Sequence, residues 1–200
     1  MKFTTAATAA VAATMAAASP CKKRDDSVDK IADGDVFSVM ALRSASPIHF
    51  ANLQAANNGL LLGASAQNAS CGPTNPNYAQ FQLNNGSLYL YTANPPQQYY
   101  VDRSGMGQGV IQYTTGAQGA GRNSERQGFT INEGGNLVFR DQTKQDIGFQ
   151  ACPGAFGGGY EVWLDSVANP AGYKDCLGFS ARAIKSVNAT KCSYTQYPAQ

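Results

Sequence analysis

Apolar and polar positions alternate in short runs broken by Gly and Asn, and residues 80–91 show the pattern most clearly. A two-residue turn at Asn85-Gly86 suits type I′ geometry, in which both central residues take positive φ. That turn sets Leu83 opposite Leu88 and Phe81 opposite Leu90 on one face. Gln82 then faces Tyr89, and Gln80 faces Tyr91, on the other. Turn and alternation agree on one register, because a slip by one residue would exchange the faces. Residues 129–139 repeat the idea with a three-residue loop at Glu133-Gly134-Gly135, which pairs Ile131 with Leu137 and Phe129 with Phe139. A Gly in the left-handed position suits that loop. A third hairpin is expected over 53–62, around Asn57-Asn58-Gly59.

Further strands are predicted at 35–42, 98–102, 109–114, 146–151, 159–164 and 177–185. After residue 25 no stretch holds an apolar repeat of 3.6 residues over a helix length. The body therefore reads as a single compact, all-β, antiparallel domain of short strands over residues 35–195. A β-sandwich and a closed β-barrel both fit, and a β-trefoil is the alternative. The hairpin glycines, Gly59, Gly86 and Gly135, are unevenly spaced, so a threefold repeat has weak support.

The first 18 residues follow different rules. Lys2 precedes an uncharged, Ala-rich stretch ending in Ala16-Ala17-Ala18. This is the layout of a signal peptide, with cleavage after Ala18. Residues 19–34 read as a propeptide or disordered segment, with Lys22-Lys23-Arg24 placing a processing cleavage after Arg24. Residues 196–200 form a polar tail. No hydrophobic C-terminal signal for a lipid anchor is present, so no membrane anchor is expected.

Charge narrows the partners. The whole chain carries +2, but the 24 leading residues hold four of the 15 basic residues and no acid. Without them, 11 basic residues face 13 acidic ones, a balance of −2. A body this close to neutral has no basic stripe, which argues against nucleic acid. Charged residues make up only 14% of the chain, against roughly 25% in ordinary soluble domains. Amides and hydroxyls must supply much of the surface.

Cys71, Cys152, Cys176 and Cys192 remain if Cys21 leaves with the propeptide. Four cysteines in a secreted chain imply two disulfides. The expected pairing is Cys176–Cys192 with Cys71–Cys152, because the first closes a short loop worth about 3 kcal/mol. Three N-x-Ser/Thr sequons, at Asn68, Asn85 and Asn188, are candidate N-glycosylation sites on such a route.

Catalytic chemistry finds little footing. There is one histidine, His49, so a site needing two is excluded. Glycines 105, 107 and 109 precede a strand rather than a helix, and so read as a tight turn and not a phosphate loop. Asp102, Glu161 and Asp165 lie near Trp163 or the Gly-rich turn and could form an acid–base pair on a glycoside. Asp102 and Asp165 fit strand-end turns better. No catalytic residue, metal site or cofactor is assigned, and the chain is not expected to be an enzyme. Aromatic residues offer a different chemistry. Tyr89, Tyr91 and Trp163, with Tyr99 and Tyr100, are candidates for stacking on the sugar rings of a polysaccharide such as glucan or chitin.

One stretch is more specific than composition. Val101-Asp102-Arg103-Ser104-Gly105-Met106-Gly107-Gln108-Gly109, followed by Tyr113-Thr114-Thr115-Gly116 and Asn123-Ser124-Glu125-Arg126-Gln127-Gly128, resembles the fungal phialide-development cell-wall protein family of the PhiA type. Asn68-Ala69-Ser70-Cys71, Ala151-Cys152-Pro153 and Ala168-Asn169-Pro170-Ala171-Gly172 extend the resemblance over about residues 36–194. The resemblance implies a secreted protein of the fungal cell wall, needed for phialide and conidium formation. It also implies stress protection and, in some members, allergenicity. It brings no catalytic residues.

Overall fold

The computed structural model describes residues 30–197. The expected signal peptide, Ala18, Cys21 and Arg24 lie outside the described residues. Sixteen strands follow in order. The first eight are β1 (Val36–Leu42), β2 (Leu53–Ala56), β3 (Gly59–Leu62), β4 (Ser70–Cys71), β5 (Phe81–Asn84), β6 (Ser87–Leu90), β7 (Gln97–Asp102) and β8 (Val110–Thr115). The rest are β9 (Ser124–Glu125), β10 (Phe129–Ile131), β11 (Asn136–Arg140), β12 (Asp146–Ile147), β13 (Phe149–Pro153), β14 (Tyr160–Leu164), β15 (Leu177–Lys185) and β16 (Cys192–Ser193). Helical structure among the described residues is confined to two 3₁₀ turns, Phe156–Gly158 and Pro170–Gly172.

All three hairpins form, and the two whose registers the sequence specifies take them. Phe81 pairs with Leu90, Gln82 with Tyr89 and Leu83 with Leu88. Asn85 and Gly86 both take positive φ, as the tight turn requires. Phe129 pairs with Phe139 and Ile131 with Leu137. In the 53–62 hairpin the turn residues are Asn57 and Asn58, both at positive φ, and Ala56 pairs with Gly59.

All the principal pairings are antiparallel, and they close on themselves. Hydrogen bonds run β1-β5-β6-β7-β8-β3-β14-β13-β15, and β15 pairs again with β1. Phe37 faces Phe81 on one edge and Lys185 on the other. The ring is thus a barrel, an arrangement that leaves its member strands no open edge. The hairpins hold unequal places in it. Both strands of β5–β6 belong to the ring, only β3 of β2–β3 does, and β10–β11 hangs outside on β15 through Leu137 and Ala181. No threefold repeat of pairings relates them.

Inward positions build one continuous core. Phe37, Val39 and Ala41 alternate inward along β1, and Tyr99 and Val101 along β7. Phe81 packs between Phe37 and Tyr99, and Tyr99 meets Tyr113 edge-on at 5.4 Å.

Buried glutamines complete what the short ladders leave open. The Gln97 side chain donates to the Tyr194 carbonyl at 2.9 Å and accepts from the Tyr194 N–H at 3.0 Å, as a neighbouring strand would. Gln54 does the same for Ala64, and Gln67 bonds Pro76, Tyr78 and Ala55. Gln150 ties the Leu164 and Val167 carbonyls. These side chains satisfy backbone groups that would otherwise be buried unpaired, each at a cost of about 1–3 kcal/mol. Gln97→Leu keeps the volume and removes both bonds to Tyr194. We expect it to lower stability by about 2–4 kcal/mol, read as a shift in the urea midpoint. A change within 0.5 kcal/mol would contradict this role.

The disulfides are Cys71–Cys192 and Cys152–Cys176, which corrects the expected pairing. Short loop closure was the wrong criterion. The nine extended residues of β15 follow Cys176 and carry the chain about 30 Å away before it turns toward Cys192. Leu177 meanwhile pairs with Ala151, which sets Cys176 beside Cys152. Cys192 faces Cys71 directly in the β16–β4 ladder. No helix among the described residues is long and apolar enough to cross a membrane.

Candidate functional site

Two of the three carboxylates weighed for acid–base chemistry, Asp102 and Glu161, accept hydrogen bonds within the fold. Asp102 ends β7, and its Oδ1 accepts from the Ser104 N–H at 2.8 Å. Ser104 Oγ accepts from the Gly107 N–H, and the Val110 N–H closes on the Gly107 carbonyl. A Cβ at residue 107 would lie 2.2 Å from the Asp102 carboxyl carbon, so only Gly lets the loop fold down on that carboxylate. The Gly-rich stretch is therefore a self-bonded turn leading into β8, as its sequence indicated.

Glu161 lies on β14, half-buried, with its Oε2 accepting from the Tyr173 hydroxyl at 3.4 Å. Desolvation raises its pKa, partly offset by that hydrogen bond. Asp165 is exposed beyond the end of β14. Four steps along the chain separate it from Glu161, about 13 Å between their Cα positions if fully extended. The raised pKa of Glu161 sets a pH dependence. The folded state holds this proton more tightly than the unfolded chain does. Its favourable contribution is therefore full below the unfolded value and is lost as pH rises through the folded one. We expect Glu161→Gln to be more stable than the parent at pH 7 and to lose that advantage near pH 4. Thermal melts at both values check this, and an equal difference at the two pH values would refute it.

His49 is structural. Its Nδ1 accepts from the Arg43 N–H at 3.1 Å, and its ring lies 3.8 Å from that of Phe50. No group of three or more metal-ligating side chains occurs among the described residues.

The aromatic candidates divide sharply. Trp163 is buried at 5% exposure, so it is corrected from a sugar platform to a packing residue. It touches Val110 and Cys152 and meets the Tyr173 ring edge-on at 6.0 Å. The cause is the Cys152–Cys176 link, which holds the segment after β14 over an outer face that strand alternation alone would leave open. Tyr99 is fully buried. Neighbouring strand residues point to opposite faces, so only Tyr100 of that pair is outside. There Tyr100 donates to Gln112 at 2.8 Å and lies under the Arg126 guanidinium. Tyr91 is half-buried, with Lys191 Nζ 5.6 Å from its ring centre.

Tyr89 differs from all of these. It is half-buried on β6, pairs with Gln82 on β5 and Gln98 on β7, and borders two adjoining surface grooves. The two glutamines were not named as site residues from sequence. Gln82 was already legible as the partner of Tyr89 across the Asn85-Gly86 turn. Gln98 depends on the β6–β7 register, which no turn motif fixes. The sequon residues Asn68, Asn85 and Asn188 are all exposed, on loops or at a turn.

A model of the PhiA-like secreted protein family matches residues 37–195. The chain is 46% identical to cell wall protein phiA of Aspergillus fumigatus over 162 residues, which cover 80% of this chain and 85% of the relative. It is 39% identical to cell wall protein phiA of Emericella nidulans over 197 residues, 98% of this chain and all of the relative. Cell wall protein phiA of Arthroderma benhamiae is 36% identical over 168 residues, 80% of this chain and 87% of the relative. No solved structure matches.

Proposed function

Since the chain belongs to the PhiA-like secreted protein family and is a secreted protein of the fungal cell wall, we propose that it is a non-enzymatic structural glycoprotein of asexual development. In this reading it takes part in phialide and conidium formation, protects against stress, and contacts wall glucan or chitin without a covalent link. The observation that carries the reading is the outer face at Gln82, Tyr89 and Gln98, where amides and a tyrosine ring replace ions. Such a surface sheds little ionic hydration on meeting an uncharged polymer. The fate of two of the carboxylates supports the absence of catalysis: Asp102 holds a turn, and Glu161 accepts from the Tyr173 hydroxyl.

Mass spectrometry of protein from culture fluid and from washed walls tests the processing and placement together. The expected result is a mature chain lacking residues 1–18, with glycans on one or more of Asn68, Asn85 and Asn188, released from walls by hot detergent. Retention of residues 1–18 would overturn the secretion route, and release only by glucanase or chitinase would overturn non-covalent attachment. A strain lacking the protein should form fewer phialides and conidia. Normal conidiation in that strain would remove the developmental role.

A further inference from the structure

Gln82, Tyr89 and Gln98 stand opposite one another in successive ladders. Directly opposed residues share a face of the sheet. This face is the outer one, since the flanking Leu88 and Leu90 are buried and these three are not. Strands lie about 4.8 Å apart, so the row spans about 10 Å. Tyr89 forms the ridge between a groove of 770 Å³ on the β7 side and one of 420 Å³ on the β5 side.

The two amides are oriented by their neighbours. Gln82 Nε2 donates to the Gly34 carbonyl at 2.8 Å, which leaves its Oε1 with no protein donor among the described residues. Gln98 Oε1 accepts from Arg126 at 3.0 Å, which leaves its NH₂ group unused. Arg126 is itself fixed by the Gln118 carbonyl and the Tyr100 ring. The row thus presents an acceptor, an aromatic ring and a donor in sequence. A sugar matches this order, because its hydroxyls both donate and accept while its C–H face lies against an aromatic ring.

Charge selects among sugars. The larger groove carries Arg126 and Arg140 against Glu125 and Asp141. Arg140 is paired with Asp146 at 2.7 Å, and Asp141 accepts from Thr143. The formal charges lining the larger groove cancel, and the smaller groove adds the single carboxylate of Asp33, which accepts from the Asn85 N–H. We infer that the Gln82–Tyr89–Gln98 row is a subsite for a neutral polysaccharide chain that crosses from one groove to the other. The inference deepens the cell-wall reading above and rests on it.

The test is retention of the mature, secreted protein on insoluble β-glucan and on chitin. Wild type is expected to bind at least one polymer and to stay bound in about 1 M NaCl, where the Debye length falls to about 3 Å. Tyr89→Ala should weaken that binding roughly five- to tenfold, Gln98→Ala should also weaken it, and Tyr89→Phe should not. Tyr91→Ala, outside both grooves, should bind as wild type. If Tyr89→Ala fails to fold, judged by its melting midpoint, Gln98→Ala decides. Wild-type retention with both alanine variants unchanged would overturn the row while leaving polysaccharide contact standing. Failure of wild type on both polymers would remove the contact reading itself. Release by salt would overturn the neutral-chain assignment.

Discussion

Replacing Cys71 and Cys192 together by Ser should lower the unfolding free energy by about 5 kcal/mol. The bridge spans 121 residues, and in the chain-entropy model a loop of that size removes more freedom from the unfolded state than a short one. Cys152–Cys176 spans 24 residues, for which the same model gives about 3.5 kcal/mol. The strand pairing beside the long bridge is short. The β4–β16 ladder holds two residue pairs, and the segment beyond it is fastened by the Gln97–Tyr194 bonds, by Gln80 N–H donating to the Tyr194 hydroxyl, and by the Tyr113 hydroxyl donating to the Thr195 carbonyl. Total stability for a domain is commonly 5–15 kcal/mol, so the double variant is expected to be partly unfolded at growth temperature. Fluorescence of Trp163, the sole tryptophan and a buried one, gives the denaturant midpoint. A loss below about 1 kcal/mol, or a larger loss from the Cys152–Cys176 double variant, would contradict the argument.

Gly128→Ala should cost about 4 kcal/mol. Gly128 has a φ of +122°, where L side chains are strained, a penalty of about 1–3 kcal/mol. Its new Cβ would also meet the Arg140 carbonyl oxygen at 2.7 Å and the Phe139 ring at 2.9 Å. Relieving such an overlap in a packed core costs about 1–3 kcal/mol more. The residue cannot move away easily. Its N–H donates to the Gly86 carbonyl at 2.9 Å, and its carbonyl accepts from the Arg140 N–H at 2.7 Å. It thereby joins the β10–β11 hairpin to the β5–β6 turn above the Phe129–Phe139 contact. At about 2–4 °C per kcal/mol for a domain of this size, the melting temperature should fall by about 10 °C. Gly119→Ala is the matched comparison, because nothing lies within 4 Å of its added Cβ. That variant should melt within about 2 °C of the parent, and equal losses at the two positions would refute the steric account.

Short-range chemistry was readable along the chain. The Asn85-Gly86 turn and the alternation around it determined the β5–β6 register, and with it the placement of Gln82 against Tyr89. The loop at 133–135 did the same for β10–β11. These features depend on φ preferences and side-chain alternation within about ten residues, which a sequence carries explicitly. Strands of two residues, such as β4, β9 and β16, have too few positions to show any alternation and were invisible.

Tertiary structure decided the remainder. Closure of the barrel rests on β1 meeting β15, across more than half the chain. Cysteine partnership followed the strand directions, so Cys71 found Cys192 and not a nearer thiol. Trp163 sits in an outward position of β14 and is covered where the Cys152–Cys176 link holds Tyr173 of the following segment against it. In each case the deciding contact joins segments whose separation leaves no periodic signal, and its geometry exists only once the sheet has closed.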